Sequence, residues 1–175
     1  MLKPRVTPTE LMQHVRKSKL FDRVLGKVNI ISLKNGDGLA EFTVQEEHTN
    51  RKGELHPGFV CSVADYLSSY SFSTHELGNN YHVSVDMQLT KFNWSLYITS
   101  RFYKPPARMG DEVEVISKTL HGGHSITFLE VLLKNKNTGQ LLAKGNHNMY
   151  LLHPQLSKKN ATEHAQKVLE QHECK

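Results

Sequence analysis

Residues 48–72 read HTNRKGELHPGFVCSVADYLSSYSF, and the fold turns on how this stretch is read. Phe59, Val60, Val63, Ala64, Leu67 and Tyr70 recur at helical spacing on one broad face, while Ser62, Asp65 and Ser69 share another. The stretch therefore predicts a long helix headed for a core, with Asp65 on a polar stripe. Pro57 suits the first helical turn, because the amide hydrogen it lacks would have no intrahelical partner there. Gly58 is then expected to leave the helix N-terminus bare, open to an anion or a developing oxyanion. A small residue simply tolerated at a helix start is the plainer reading. Asp65 also has two readings, a carboxylate facing water or one lining a cleft. At 1.5 Å rise per residue, Pro57 and Asp65 lie about 12 Å apart, so one helix cannot aim both at one atom. Two antiparallel helices at a two-fold interface can.

Outward from this helix, Thr7-Pro8-Thr9-Glu10 has the form of a capping box, and Leu11, Val15 and Leu20 supply an apolar stripe for a short N-terminal helix. Residues 28–33 and 39–44 read as two strands joined through Asn35-Gly36-Asp37-Gly38, which supplies the positive-φ residues of a hairpin turn. Four more strands are expected over 83–90, 112–120, 125–134 and 140–152. His121-Gly122-Gly123-His124 and Asn135-Lys136-Asn137-Thr138-Gly139 mark turns between the last three. Helix, two strands, one long helix and a run of strands predict an α+β domain in which an antiparallel sheet packs against one central helix. The division is a helical segment over 1–20, the main domain over 21–152, and a polar tail over 153–175, for which a solvated helix is one reading.

At 175 residues the chain fits one domain with its own core. Two cysteines, Cys61 and Cys174, give neither a disulfide framework nor metal-ligand spacing and point to a reducing compartment. No secretory core and no membrane-length apolar span is visible. The formal charge of +5 is scattered and does not form an aromatic-studded strip, so nucleic acid is not favoured, and the excess equally suits a small ligand bearing phosphates. The 11 histidines include no His-Glu-x-x-His motif, so no metal and no cofactor are expected. There is no Gly-x-Ser-x-Gly elbow for a serine nucleophile, and Cys61 has no evident paired base.

The ordered set His48-Thr49-Asn50, Gly53-x-Leu55-His56-x-Gly58, Asp65 and Val83-Ser84-Val85-Asp86-Met87 resembles the hotdog-fold acyl-coenzyme A thioesterases, including the phenylacetate-pathway branch. Phe21 to Lys27, Pro106 to Asp111 and Thr138 to Gly145 extend the likeness over most of residues 9 to 152. The resemblance implies a sheet wrapped round the central helix, pairing into a homodimer or homotetramer. It also implies hydrolysis of medium- to long-chain acyl-CoA in fatty acid metabolism. Asn50 matches the residue that positions the attacking water, and Asp65 the carboxylate acting as general base or nucleophile. Ser84 matches the serine that supports the aspartate, and Gly58 lies at the oxyanion-binding helix tip. Asn50 and the helix tip would come from one subunit, Asp65 and Ser84 from its partner. His56 is placed to cap or orient the helix start, with a direct acid–base role as the alternative. Lys104 and Arg108 are candidates for coenzyme A phosphates, with solvent exposure as the alternative. The expected compartment is the cytosol, with the mitochondrion as the alternative.

Two features depart from the family pattern. Pro57 stands where the family usually has the glycine whose amide donates to the thioester oxygen, so a weak or inactive acyl-CoA-binding protein is the alternative function. Residues 91–102, KFNWSLYITSRF, interrupt the pattern as an insert, read first as a surface excursion and second as a flap carrying Trp94 toward the acyl chain.

Overall fold

The computed structural model describes residues 7–78, 82–91, 106–123 and 125–152; the insert beyond Lys91, Lys104, His124 and the 153–175 tail lie outside them. Among the described residues two α-helices and six strands follow one another as α1 (Pro8–Lys17), β1 (Asn29–Lys34), β2 (Asp37–Thr43), α2 (Pro57–Ser73), β3 (His82–Lys91), β4 (Glu112–Gly122), β5 (Ile126–Asn135) and β6 (Leu141–Leu151). The strands form one antiparallel sheet in the order β1-β2-β4-β5-β6-β3, wrapped over α2, which makes the α+β arrangement expected above. Strand β3 follows α2 in the chain yet lies at the far edge of the sheet, beside β6.

Local chemistry sets these elements. The Thr7 side chain caps the Glu10 amide and the Glu10 carboxylate returns to the Thr7 amide, so the capping box is complete with Pro8 in the first turn. The β1–β2 hairpin turns through Asn35 at φ 54° and Gly36 at φ 88°, flanked by the Lys34–Asp37 pair. Gly38 on β2 lies against α2, and a Cβ there would fall 2.0 Å from Ser71 Oγ. Only a glycine lets strand and helix approach this closely.

Alternation along β4, β5 and β6 turns Val113, Val115, Val131, Leu133 and Ala143 inward onto the buried face of α2 formed by Phe59, Val60, Val63, Ala64 and Leu67. Ser68 and Ser71 are also buried on α2, and each hydroxyl donates to the carbonyl four residues back. Tyr70, expected on the apolar face, is half-buried and packs against Tyr66 with ring centroids 4.5 Å apart.

Two expectations need correction. His121 and Gly122 are not turn residues: β4 runs through both, pairing them with Phe128 and Thr127 across a bulge after Thr119. Leu20 does not join the stripe of the first helix. α1 ends at Lys17, Ser18 is extended, and Leu20 is left exposed while Met12 is buried beside Leu11 and Val15. These three side chains sit in the same apolar cluster as α2 and the sheet, so the helix of the 1–20 segment is part of the main core.

The fully buried Phe72 packs with Leu129, Met149 and Leu151 where α2 ends against the sheet. Phe72→Ala is expected to cost about 3–5 kcal/mol of stability in denaturant titration. Thr7→Ala, which removes only the α1 cap, is expected to cost about 1 kcal/mol.

Candidate active site

Two groups of residues lie along α2, one at its N-terminus and one at its middle. The first surrounds its N-terminus. His48 is buried, its ring stacked on Phe59 at 4.2 Å and edge-on to Phe42, and its Nδ1 accepts a hydrogen bond from the Gln45 amide. The His56 amide donates to the His48 carbonyl, so the His48 backbone ties the start of α2 to the 48–55 loop while its ring packs on Phe59 of that helix. Within the loop, Asn50 Oδ1 accepts from the amides of Lys52 (2.8 Å) and Glu54 (3.2 Å), and Gly53 at φ 72° completes the turn. Asn50 therefore uses its carbonyl to hold its own loop, while its Nδ2 faces the Glu54 carboxylate at 3.5 Å. A bridge from Glu54 to Arg108 ties the loop to the 106–111 turn, where the Arg108 amide donates to Asp111 and the side chain is exposed.

The tip of α2 is not bare. Pro57 has no amide hydrogen, and the Gly58 amide donates to His56 Nδ1 at 2.9 Å, so His56 is the N-cap. The expectation of a bare Gly58 fails because His56, itself expected to cap or orient this helix start, closes the amide. An oxygen anion bound by this amide would have to displace the imidazole.

The second group surrounds Asp65, two turns farther along. Its side chain is 49 % exposed, and Ser84 on β3 donates to its Oδ1 at 3.2 Å. Behind them is His147, fully buried on β6 with Nε2 2.9 Å from Ser84 Oγ and 3.5 Å from Asp65 Oδ1. Nδ1 of the same ring lies 2.7 Å from Ser68 Oγ, whose hydroxyl donates to the Ala64 carbonyl at 2.7 Å. Because that carbonyl can only accept, Ser68 spends its hydrogen there and takes the Nδ1–H of His147. Burial pushes the His147 pKa down against the opposing pull of Asp65, so a neutral ring carrying its hydrogen on Nδ1 presents a bare Nε2 to Ser84. The single Ser84 hydrogen thus stands between two acceptors, carboxylate and imidazole.

The structure brings Asp65 and Ser84 of one chain together at the middle of α2, and Asn50, His56, Gly58 and Arg108 together at its N-terminus. Lys104 lies outside the described residues. His147 is the residue that sequence reasoning missed. Its signal was the alternation Ala143, Gly145, His147, Met149, Leu151, which puts a lone imidazole on the inward row of a strand. Among the described residues no group of three or more His, Cys, Asp or Glu side chains converges as a metal site, and no helix is long and apolar enough to cross a membrane.

Burial depresses the pKa of both His147 and His48. Below the ordinary histidine value of about 6.5 the unfolded chain therefore binds more protons than the folded one. The stability contributed by the neutral rings is complete above that pH and is lost as pH falls toward the folded values. Unfolding titrations between pH 8 and 5 (a range of about three units) are expected to show this decline, with a shallower slope for His147→Gln.

The chain is 34 % identical over 142 residues to human acyl-coenzyme A thioesterase 13, spanning 81 % of this chain and 92 % of the relative. The crystal structure of zebra fish thioesterase superfamily member 2 superimposes with a TM-score of 0.71 at 34 % identity, covering 83 % of this chain and 99 % of that one. The Escherichia coli PaaI protein of the phenylacetic acid degradation operon shares the fold, with a TM-score of 0.60 at 18 % identity over 75 % of this chain and 83 % of that one. No family model matches the chain.

Proposed function

Since this chain belongs to the hotdog-fold acyl-CoA thioesterases, we propose that it hydrolyses medium- to long-chain fatty acyl-CoA to free acid and coenzyme A at a site shared by two subunits. The observation that carries this reading is the Asp65–Ser84–His147 constellation, a half-exposed carboxylate backed by a buried imidazole through one hydroxyl. Asp65 takes the proton of a water as that water attacks the thioester carbon. Ser84 can then turn its hydrogen from the carboxylate to His147, holding Asp65 in place whichever protonation state it has. The C–O bond forms, the C–S bond breaks, and the proton passes to the departing thiolate.

Asp65 and Ser84 lie beside β3, whose outer side is unpaired among the described strands. A second copy pairing along that edge would set two α2 helices side by side and antiparallel. Each helix tip, with Asn50, Gly58 and Arg108, would then approach the Asp65 of the other copy. Homodimers of this kind, or tetramers built from two of them, are the proposed working form. Arg108, exposed next to the Asn50 loop, is the proposed contact for coenzyme A phosphates, with Lys104 beyond the described residues as its companion. The proposed compartment is reducing, cytosol or mitochondrion, which suits the free Cys61 thiol.

A second reading is favoured by Pro57 together with the capped Gly58 amide: tight acyl-CoA binding with weak turnover. Purified protein incubated with acyl-CoAs of increasing chain length, with the released thiol titrated, separates the two. Hydrolysis that rises with chain length and falls about 10²–10⁴-fold in Asp65→Asn supports the first reading. Binding without thiol release, converted to turnover by Pro57→Gly, supports the second. Turnover unchanged by Asp65→Asn excludes the mechanism. On the first reading Pro57→Gly still raises kcat, by up to about 10²-fold, because it returns an oxyanion donor.

A further inference from the structure

The corner between α1 and the 3-10 turn at Phe21–Leu25 is ordered by hydrogen bonds, yet Leu20 and Phe21 turn outward. Arg16 Nε donates to the Gly26 carbonyl, Arg23 to the Lys19 carbonyl, the Leu20 amide to Ser18 Oγ, and the Arg23 amide to the Leu20 carbonyl. The backbone is therefore fixed, while Leu20 and Phe21 stand adjacent at 73 % and 71 % exposure. A soluble surface gains nothing from two neighbouring large apolar residues held out on a fixed corner, so the pair marks a docking point.

The surrounding charge selects what docks. Arg16, Lys17, Lys19 and Arg23 are exposed around the pair, none in an ion pair among the described residues, and Asp22 is the one acid from residue 11 to residue 27. A two-fold contact with a second copy would set this patch against itself, cation facing cation. An anionic lipid surface complements it in both respects, because headgroups attract the four cations while the acyl boundary accepts leucine and phenylalanine. We propose that Leu20 and Phe21, ringed by Arg16, Lys17, Lys19 and Arg23, form a peripheral docking surface for an anionic phospholipid bilayer. The surface stands on the patch alone and does not depend on hydrolysis. It would bring the chain to the phase into which long acyl chains partition.

Co-sedimentation of the full-length protein with vesicles tests this directly. Binding to phosphatidylcholine vesicles carrying about 30 % phosphatidylserine is expected to exceed binding to pure phosphatidylcholine about tenfold. It should weaken as salt rises from about 0.1 M to 0.5 M. The double variant Leu20→Ser/Phe21→Ser should lose about tenfold in vesicle binding while keeping the wild-type melting temperature and sedimentation coefficient. Equal binding to neutral and anionic vesicles, or full binding by the variant, would overturn the proposal. A changed sedimentation coefficient in the variant would overturn it in favour of a second copy as the occupant.

Discussion

A helix that rises about 1.5 Å per residue carries Pro57 and Asp65 to points about 12 Å apart, and the sheet leaves both of those points uncovered while burying the face between them. Phe59, Val60, Val63, Ala64 and Leu67 take the covered face. Among the buried polar side chains, Ser68 and Ser71 return their hydrogens to α2 carbonyls, and Gly38 lets β2 approach where any side chain would collide. The functional groups therefore collect at the tip of α2 and at its exposed middle, and the chemistry proposed for this chain needs both at one thioester.

The two places differ in how ready they are. Around Asp65 the groups are pre-positioned, since α2, β3 and β6 each supply one member and the buried His147 is fixed through Ser68 to the helix backbone. At the helix tip the chain satisfies itself, with His56 occupying the Gly58 amide and Asn50 holding its own loop. A carbonyl oxygen arriving there competes with an internal cap, and Pro57 removes the neighbouring donor that could have helped. The balance between turnover and mere binding thus rests on a few atoms at the tip, not on the fold.

Much of this was legible because it is encoded locally. The Thr7–Glu10 capping box, the Asn35-Gly36 turn, the apolar face of α2 and the alternation in β5 and β6 each depend on residues within a few positions of one another. Asp65, Ser84, Asn50, His56 and Gly58 came from the family likeness, and their spacing alone left Asp65 undecided between solvent and cleft. What was not legible is long-range. His147 meets Ser84 across 63 positions, and only the placement of β3 beside β6 brings them together. Leu20 was misassigned because helical spacing continues past Lys17 in the sequence although the backbone turns extended at Ser18. The extension of β4 through His121-Gly122 was hidden by a bulge that no local pattern announces.

The claim that one site is assembled from two chains is tested most directly by mixing subunits. Asp65→Asn and Asn50→Ala proteins, each inactive alone, are denatured together, refolded and assayed for thiol release. On the two-chain account half of the dimers are mixed and each carries one intact site, so activity returns to about one quarter of wild type. A mixture that remains as inactive as its components, although mixed dimers are demonstrably present, would contradict the account.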